Sequence, residues 1–331
     1  MKKISKSIAD SIQLLRFPLI VGIVATHSYS TSNLVDVNWT FYDLIRSYCQ
    51  VLFSVCVPSF FFISGLLFFS VEKFSKSEYL RKLRSRIRSL FLPYILWTII
   101  AFIYLHFKSG LAFTFSMFWA YNSWNAPLIE PLWYVRNLMI FVVLSPILYH
   151  IIRYTKGLFV LFLFMCYLLN FHFGVGIMYF SSLLFFSLGS LFGILKIDIS
   201  KFINQIGHYF LIIAFICSFL SLFSDLSLRL YCSISIFAIF YCALYFVEKR
   251  NYNASDFLVR STFFIYALHG FAVTGFYMKT MSLLIPDQMP WECLLFRYFG
   301  TIILTVSTCL FLFYLLNIIC PKFLNLLIGS R

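Results

Sequence analysis

The chain has 331 residues, of which 61% are hydrophobic and 11% charged, and its mean hydropathy is +0.89. So little polar surface excludes a soluble globule, and the chain reads as an all-α integral membrane protein. The nine cysteines (Cys49, Cys56, Cys166, Cys217, Cys232, Cys242, Cys293, Cys309 and Cys320) are scattered without CxxC or CxxH spacing, which leaves no disulfide framework and no zinc or other metal site.

Met1 to Asp10 is a short basic tail with Lys2, Lys3 and Lys6. It has the look of a secretory signal, but Arg16 interrupts the apolar run behind it and no small-residue cleavage pattern precedes Thr31. The run is therefore expected to stay as the first span. Further apolar runs at 47–70, 89–107, 132–152, 157–171, 177–195, 208–224, 228–247, 261–279 and 298–319 bring the expected bundle to about ten spans of the length a ~30 Å hydrocarbon core needs. Lysines and arginines concentrate in alternate segments: the N-terminal tail, the stretch from Lys73 to Arg88, and Arg153, Lys156, Lys196, Lys201, Lys249, Arg250, Arg260, Lys322 and Arg331. The opposite segments hold Arg46, Lys108, Arg229, Lys279 and Arg297. By the positive-inside rule both termini are then cytoplasmic. The net charge of +14 reads as topology and contact with anionic membrane lipids, with no nucleic-acid partner.

Within the first span, LLRFPLIVGIVATHSYS, an eleven-residue step separates Arg16 from His27. At about 100° per residue this turns through roughly 1100°, so the two side chains share a helix face about 16 Å apart along the axis. Taken singly, Arg16 snorkelling to the headgroups and His27 sitting at the far interface would account for each. Their common face favours a polar site inside the bundle. VPSFFFISGLLFF follows in the second span, where Ser64-Gly65 reads as close helix packing. At the mouth of the third span, YLRKLRSRIRSLFLPYILW crowds Arg81, Lys82, Arg84, Arg86 and Arg88 together, with Pro93 just inside. Two readings stand side by side: a positive-inside anchor, and a phosphate cradle of guanidinium forks.

The loop from Lys108 to Pro131 is aromatic, with Phe113, Phe115, Phe118, Trp119, Tyr121 and Trp124. An interfacial belt is the first reading and stacking on sugar rings the second. Glu130, Trp133, Arg136 and Asn137 then cluster at the outer end of the fourth span, on the side expected for His27. His172 falls in a short outer turn, and Gly189 and Gly193 have helix-packing spacing. In STFFIYALHGF, Tyr266 and His269 lie mid-span, where a histidine satisfied by a backbone carbonyl competes with a functional one.

Five of these features in order resemble the membrane-bound acyltransferase-3 family: arginine, ten residues, histidine; VPSFFFISGLLFF; the basic loop ending RSLFLPY; PLWYVRNL; and FFIYALHGF. The likeness runs from about residue 10 to 320. It implies one transmembrane acyltransferase domain over 1–331, in the inner membrane of a bacterium, that moves an acyl group, usually acetyl, from acyl-CoA to hydroxyls of cell-surface or exported glycans or their lipid-linked precursors. Acetyl-CoA is then a donor substrate, and no cofactor is bound permanently. The family's arginine and histidine map to Arg16 and His27, and its basic acyl-CoA motif to Arg81 and Arg84 with Arg86 and Arg88 adjacent. Glu130, Trp133, Arg136, Tyr266 and His269 are expected on the acceptor side. Some members place a histidine where this chain has Pro131, and some carry an added esterase-like domain that is not expected here. His27 is the natural general base, with an acyl-histidine relay as the competing mechanism. Arg16 is expected to hold coenzyme or to stabilise charge on the thioester oxygen. A glycan or lipid-linked sugar exporter remains the alternative from another class, although no inverted repeat with broken helices favours transport. A purely structural scaffold is opposed by the concentrated polar residues.

Overall fold

The computed structural model describes residues 5–29, 40–110, 114–123, 127–171 and 180–329, and these contain helices but no strand. Lys2, Lys3, Phe113, Trp124, His172 and Arg331 lie outside the described residues. In chain order the helices are α1 (Lys6–Thr26), α2 (Phe41–Phe53), α3 (Cys56–Phe69), α4 (Lys76–Arg86), α5 (Leu92–Ser109), α6 (Phe115–Ser123), α7 (Trp133–Thr155), α8 (Leu158–Leu168), α9 (Phe180–Ile194), α10 (Ile199–Leu220), α11 (Asp225–Arg250), α12 (Asp256–Leu268), α13 (Thr274–Leu284), α14 (Trp291–Ile319) and α15 (Pro321–Ile328). Each expected apolar run coincides with a helix or a run of helices. Among the described residues eight helical segments are long and apolar enough to cross a membrane, while α8 and α9 are shorter.

Local chemistry explains several boundaries. Ser5 caps α1 by accepting from the Ile8 amide, and Thr40 and Asp43 form a reciprocal capping box at the start of α2. The second run divides at Ser54, whose hydroxyl donates to the Val51 carbonyl at 2.6 Å and meets Cys232 Sγ at 3.2 Å. Between α4 and α5 lies a π-helical turn, Ile87–Phe91. Pro93 has no N–H to offer the Ser89 carbonyl four residues back, so the regular ladder opens there. A second π turn, His269–Val273, separates α12 from α13.

The most intimate helix pair is α3 on α9. Gly65 lies against the Phe186 carbonyl and Gly189 against the Phe62 carbonyl, while a Cβ on Gly193 would come within 2.9 Å of the Phe69 backbone. Small residues thus bring the two backbones nearly into contact, as expected where lipid provides no hydrophobic drive for association. Around this joint sits an aromatic core that includes Phe61, Phe62, Phe141, Phe186 and Phe240. The outer surface is apolar as well: α10 turns Leu211, Ile212, Phe215, Ile216 and Phe219 outward, a face that suits hydrocarbon and would be costly in water. α1 runs through the middle, packed against α2, α3, α11, α12 and α14, so its polar stripe lies inside the bundle.

Candidate functional site

Arg16, Ile20, Ile23 and His27 recur at helical spacing on α1 and line two cavities in succession. At one end Arg16 borders a cavity of about 990 Å³. Arg81, Arg84, Arg86 and Arg88 from α4 and the following turn line it too, as does Arg260 from α12. Residues two apart stand about 200° apart on a regular helix. The passage into the wider π turn, with the reach of arginine side chains, lets Arg84, Arg86 and Arg88 border one space. No acidic side chain is among its lining residues. Glu78 sits just outside and pairs with Arg81 at 2.5 Å, although the Arg81 side chain stays 70% exposed. Six guanidinium groups around one space repel one another unless an anion joins them, and their planar forks suit phosphate. α15 closes the rim: Trp97 Nε1 donates to the Leu327 carbonyl at 3.2 Å, and Gly329, at φ +72°, packs on the Ser89 backbone with no room for a Cβ.

At the other end His27 occupies the C-cap of α1. The carbonyls of the last turn accept from the cap N–H groups, His27 donating to Val24 at 3.1 Å and Ser28 to Ala25 at 3.2 Å, and from hydroxyls besides. Thr26 donates to Ile23, Ser28 to Val24 (both 2.7 Å) and Tyr298 to Ala25 (3.2 Å). The backbone that carries the imidazole is thereby held. The half-buried ring borders a chamber of about 90 Å³ together with Trp133, Tyr266, Pro131 and Ile23. Tyr266 donates its hydroxyl to the Pro131 carbonyl, and Gly270 lies so close to Pro131 that a side chain there would overlap it. These two contacts clamp the 3₁₀ turn Glu130–Leu132 against α12 and the π turn that follows it. Glu130 is exposed, and its charge reaches His27.

His269 stands behind His27, with ring centroids 5.5 Å apart. It is 1% exposed, and its Nδ1 lies 3.0 Å from the Ile265 carbonyl. A carbonyl only accepts, so Nδ1 carries the proton and Nε2 is the basic nitrogen. The backbone-satisfied reading of this histidine is therefore part of the answer, and the ring contact with His27 is the rest.

Phe60, Tyr134, Thr262 and Phe263 line both cavities and form the wall between them. Tyr134 is tied in place, its hydroxyl 3.0 Å from Ser64 Oγ and 3.3 Å from the Phe60 carbonyl. Sequence reasoning had not singled out Arg260 or this wall. Its members lie inside quoted motifs, Phe60 in VPSFFFISGLLFF, Tyr134 in PLWYVRNL and Thr262 and Phe263 in STFFIYALHGF, but they come from α3, α7 and α12, and nothing local announces their meeting. Of the residues expected near His27, Trp133, Tyr266, Glu130 and His269 are gathered there. Arg136 is buried and does not line the chamber. Among the described residues no group of three His, Cys, Asp or Glu side chains is placed to hold a metal ion.

Among the described residues the protein is all-helical, and an arginine-lined cavity is set wall to wall with a histidine chamber. The chain belongs to the acyltransferase-3 family, whose acyltransferase domain matches residues 10–319. Over 161 residues it is 28% identical to the succinoglycan biosynthesis protein ExoH of Rhizobium meliloti (strain 1021), a match covering 43% of this chain and 42% of that protein. The chain thus spans less than half the length of that curated relative. No solved structure matches it.

Proposed function

We propose that the protein transfers an acyl group, acetyl in the first instance, from cytoplasmic acyl-CoA to a hydroxyl of a cell-surface or exported polysaccharide or its lipid-linked precursor. The observation that carries this reading is the shared wall: the arginine cavity and the His27 chamber are distinct spaces separated by Phe60, Tyr134, Thr262 and Phe263. The coenzyme's phosphates bind among the arginines, and its slim pantetheine arm passes the wall to bring the thioester to His27. Arg16 lies about 16 Å along the helix from His27. At that distance it holds coenzyme and does not reach the thioester oxygen.

In the reaction His27 takes the proton of the acceptor hydroxyl as that oxygen attacks the thioester carbonyl. The tetrahedral intermediate then collapses, the carbon–sulfur bond breaks, and the coenzyme leaves as thiolate and recovers the proton from the imidazolium. His269 is a positioning residue in this scheme, its basic Nε2 available to orient the His27 ring. Involvement of a polysaccharide is in keeping with the succinoglycan-synthesis relative, and a chamber of about 90 Å³ suits a single reacting group better than a passing chain.

The test is direct. Purified protein in lipid nanodiscs, given acetyl-CoA labelled in the acetyl group and the host's surface polysaccharide stripped of its esters by mild alkali, should release free coenzyme and incorporate alkali-labile label into the glycan. Coenzyme release and glycan labelling both at background would overturn the reading.

A further inference from the structure

A third cavity, of about 420 Å³, opens beside the end of α1. Ser28 and Tyr29, which follow His27 directly, form one side, and Tyr42, Lys279, Asp287 and Arg297 form others. Its volume lies within the ~300–1,000 Å³ range of small-molecule sites. The polar groups are held in place: Arg297 donates to Asp287 Oδ1 at 2.6 Å and to the Ile285 carbonyl at 2.8 Å. Arg46, 8% exposed and 3.5 Å from Asp43, lies over both the Tyr29 and Tyr42 rings at 5.3 and 5.7 Å, which fixes two aromatic groups as one wall. Tyr298, also in the lining, bonds the Ala25 carbonyl, so this cavity is joined to the turn that carries His27.

The chemistry here contrasts with that of the arginine cavity. Lys279 and Arg297 face one carboxylate, Asp287, leaving little excess charge to draw a polyphosphate. Donors, an acceptor and ring faces together suit a sugar, which offers hydroxyls at its edge and C–H groups on its faces. The His27 chamber admits one reacting group, whereas the neighbouring space is several times larger and begins at the next residue of the chain. We propose that this third cavity seats the saccharide units flanking the one that is acylated, so that the enzyme reads an oligosaccharide and not a lone sugar. The proposal rests on the acyl-transfer reading above.

The experiment compares the de-esterified repeat-unit oligosaccharide of the host polysaccharide with its constituent monosaccharides as acceptors in the nanodisc assay. Wild-type protein should favour the oligosaccharide by at least tenfold in kcat/KM. Tyr42→Ala and Lys279→Gln should each erase most of that preference by raising the oligosaccharide KM, as loss of uniform binding does, with the acetyl-CoA KM unmoved. Lys279 is exposed, so its substitution decides the matter if Tyr42→Ala fails to fold. A wild-type enzyme that acetylates both acceptors equally, or a Lys279→Gln protein that keeps the full preference, overturns the proposal. If wild type acetylates neither and releases no coenzyme, the acyl-transfer reading itself fails and takes this one with it.

Discussion

The two cavities along α1 are built to different tolerances. At the Arg16 end the space is wide and its charges sit on long side chains, with Arg81, Arg84 and Arg88 all exposed. At the His27 end the space is about a tenth as large, and several neighbours are tied down: the α1 carbonyls by hydroxyls, Pro131 by Tyr266 and Gly270, and His269 by Ile265. Coulombic capture of a polyanion falls off slowly with distance and tolerates such slack. Proton transfer requires heavy atoms within hydrogen-bond reach, and a small misplacement costs far more. The difference separates binding from chemistry, and substitutions at the two ends should separate them again.

The largest effect is expected from His27→Asn, which keeps size and some hydrogen bonding but has no basic nitrogen. Turnover should fall by ~10²-fold or more, while the protein still folds and binds acetyl-CoA as wild type does, measured by calorimetry and by labelled transfer per molecule. Wild-type turnover would break the comparison at its centre. Replacing Arg84, Arg86 and Arg88 together by lysine should do the reverse. The positive charge that orients the chain is retained, but the bidentate forks are lost. Acetyl-CoA affinity should drop about tenfold, with turnover at saturation near wild type, and unchanged affinity would return these residues to simple anchoring. The smallest effect should come from His269. His269→Phe should lower kcat several-fold without moving the acetyl-CoA KM, and His269→Gln, whose amide oxygen still accepts a hydrogen bond, should recover much of it. A parallel loss of expression with kcat per molecule intact would reduce His269 to packing.

Much of the bundle was legible because hydropathy reports lipid exposure residue by residue, and the shared face of Arg16 and His27 follows from periodicity alone. The π turns were not. The one after Arg86 has a visible cause in Pro93, but 269–273 carries no local signature, and its place depends on Pro131 packing against Gly270. Helix rotation also sorted residues that proximity in sequence had grouped. Trp133 and Tyr134 line the cavities, whereas the buried Arg136, two residues beyond Tyr134 and about 200° around α7, lines neither. The rotational setting of α7 comes from its neighbours, which no single stretch of sequence encodes.

The joint between α3 and α9 bears on how the chain is made. α3 leaves the ribosome well before α9, and during that interval the notch at Gly65 has only lipid to fill it. Closure therefore waits for Gly189 and Gly193 to arrive, six helices later in the order of synthesis. The wall residue Phe60 and the Ser64 that holds Tyr134 ride on α3, so the partition between the two cavities takes its final place only when that late partner docks. A nascent chain stalled before α9 would hold both Arg16 and His27 and still have no finished site.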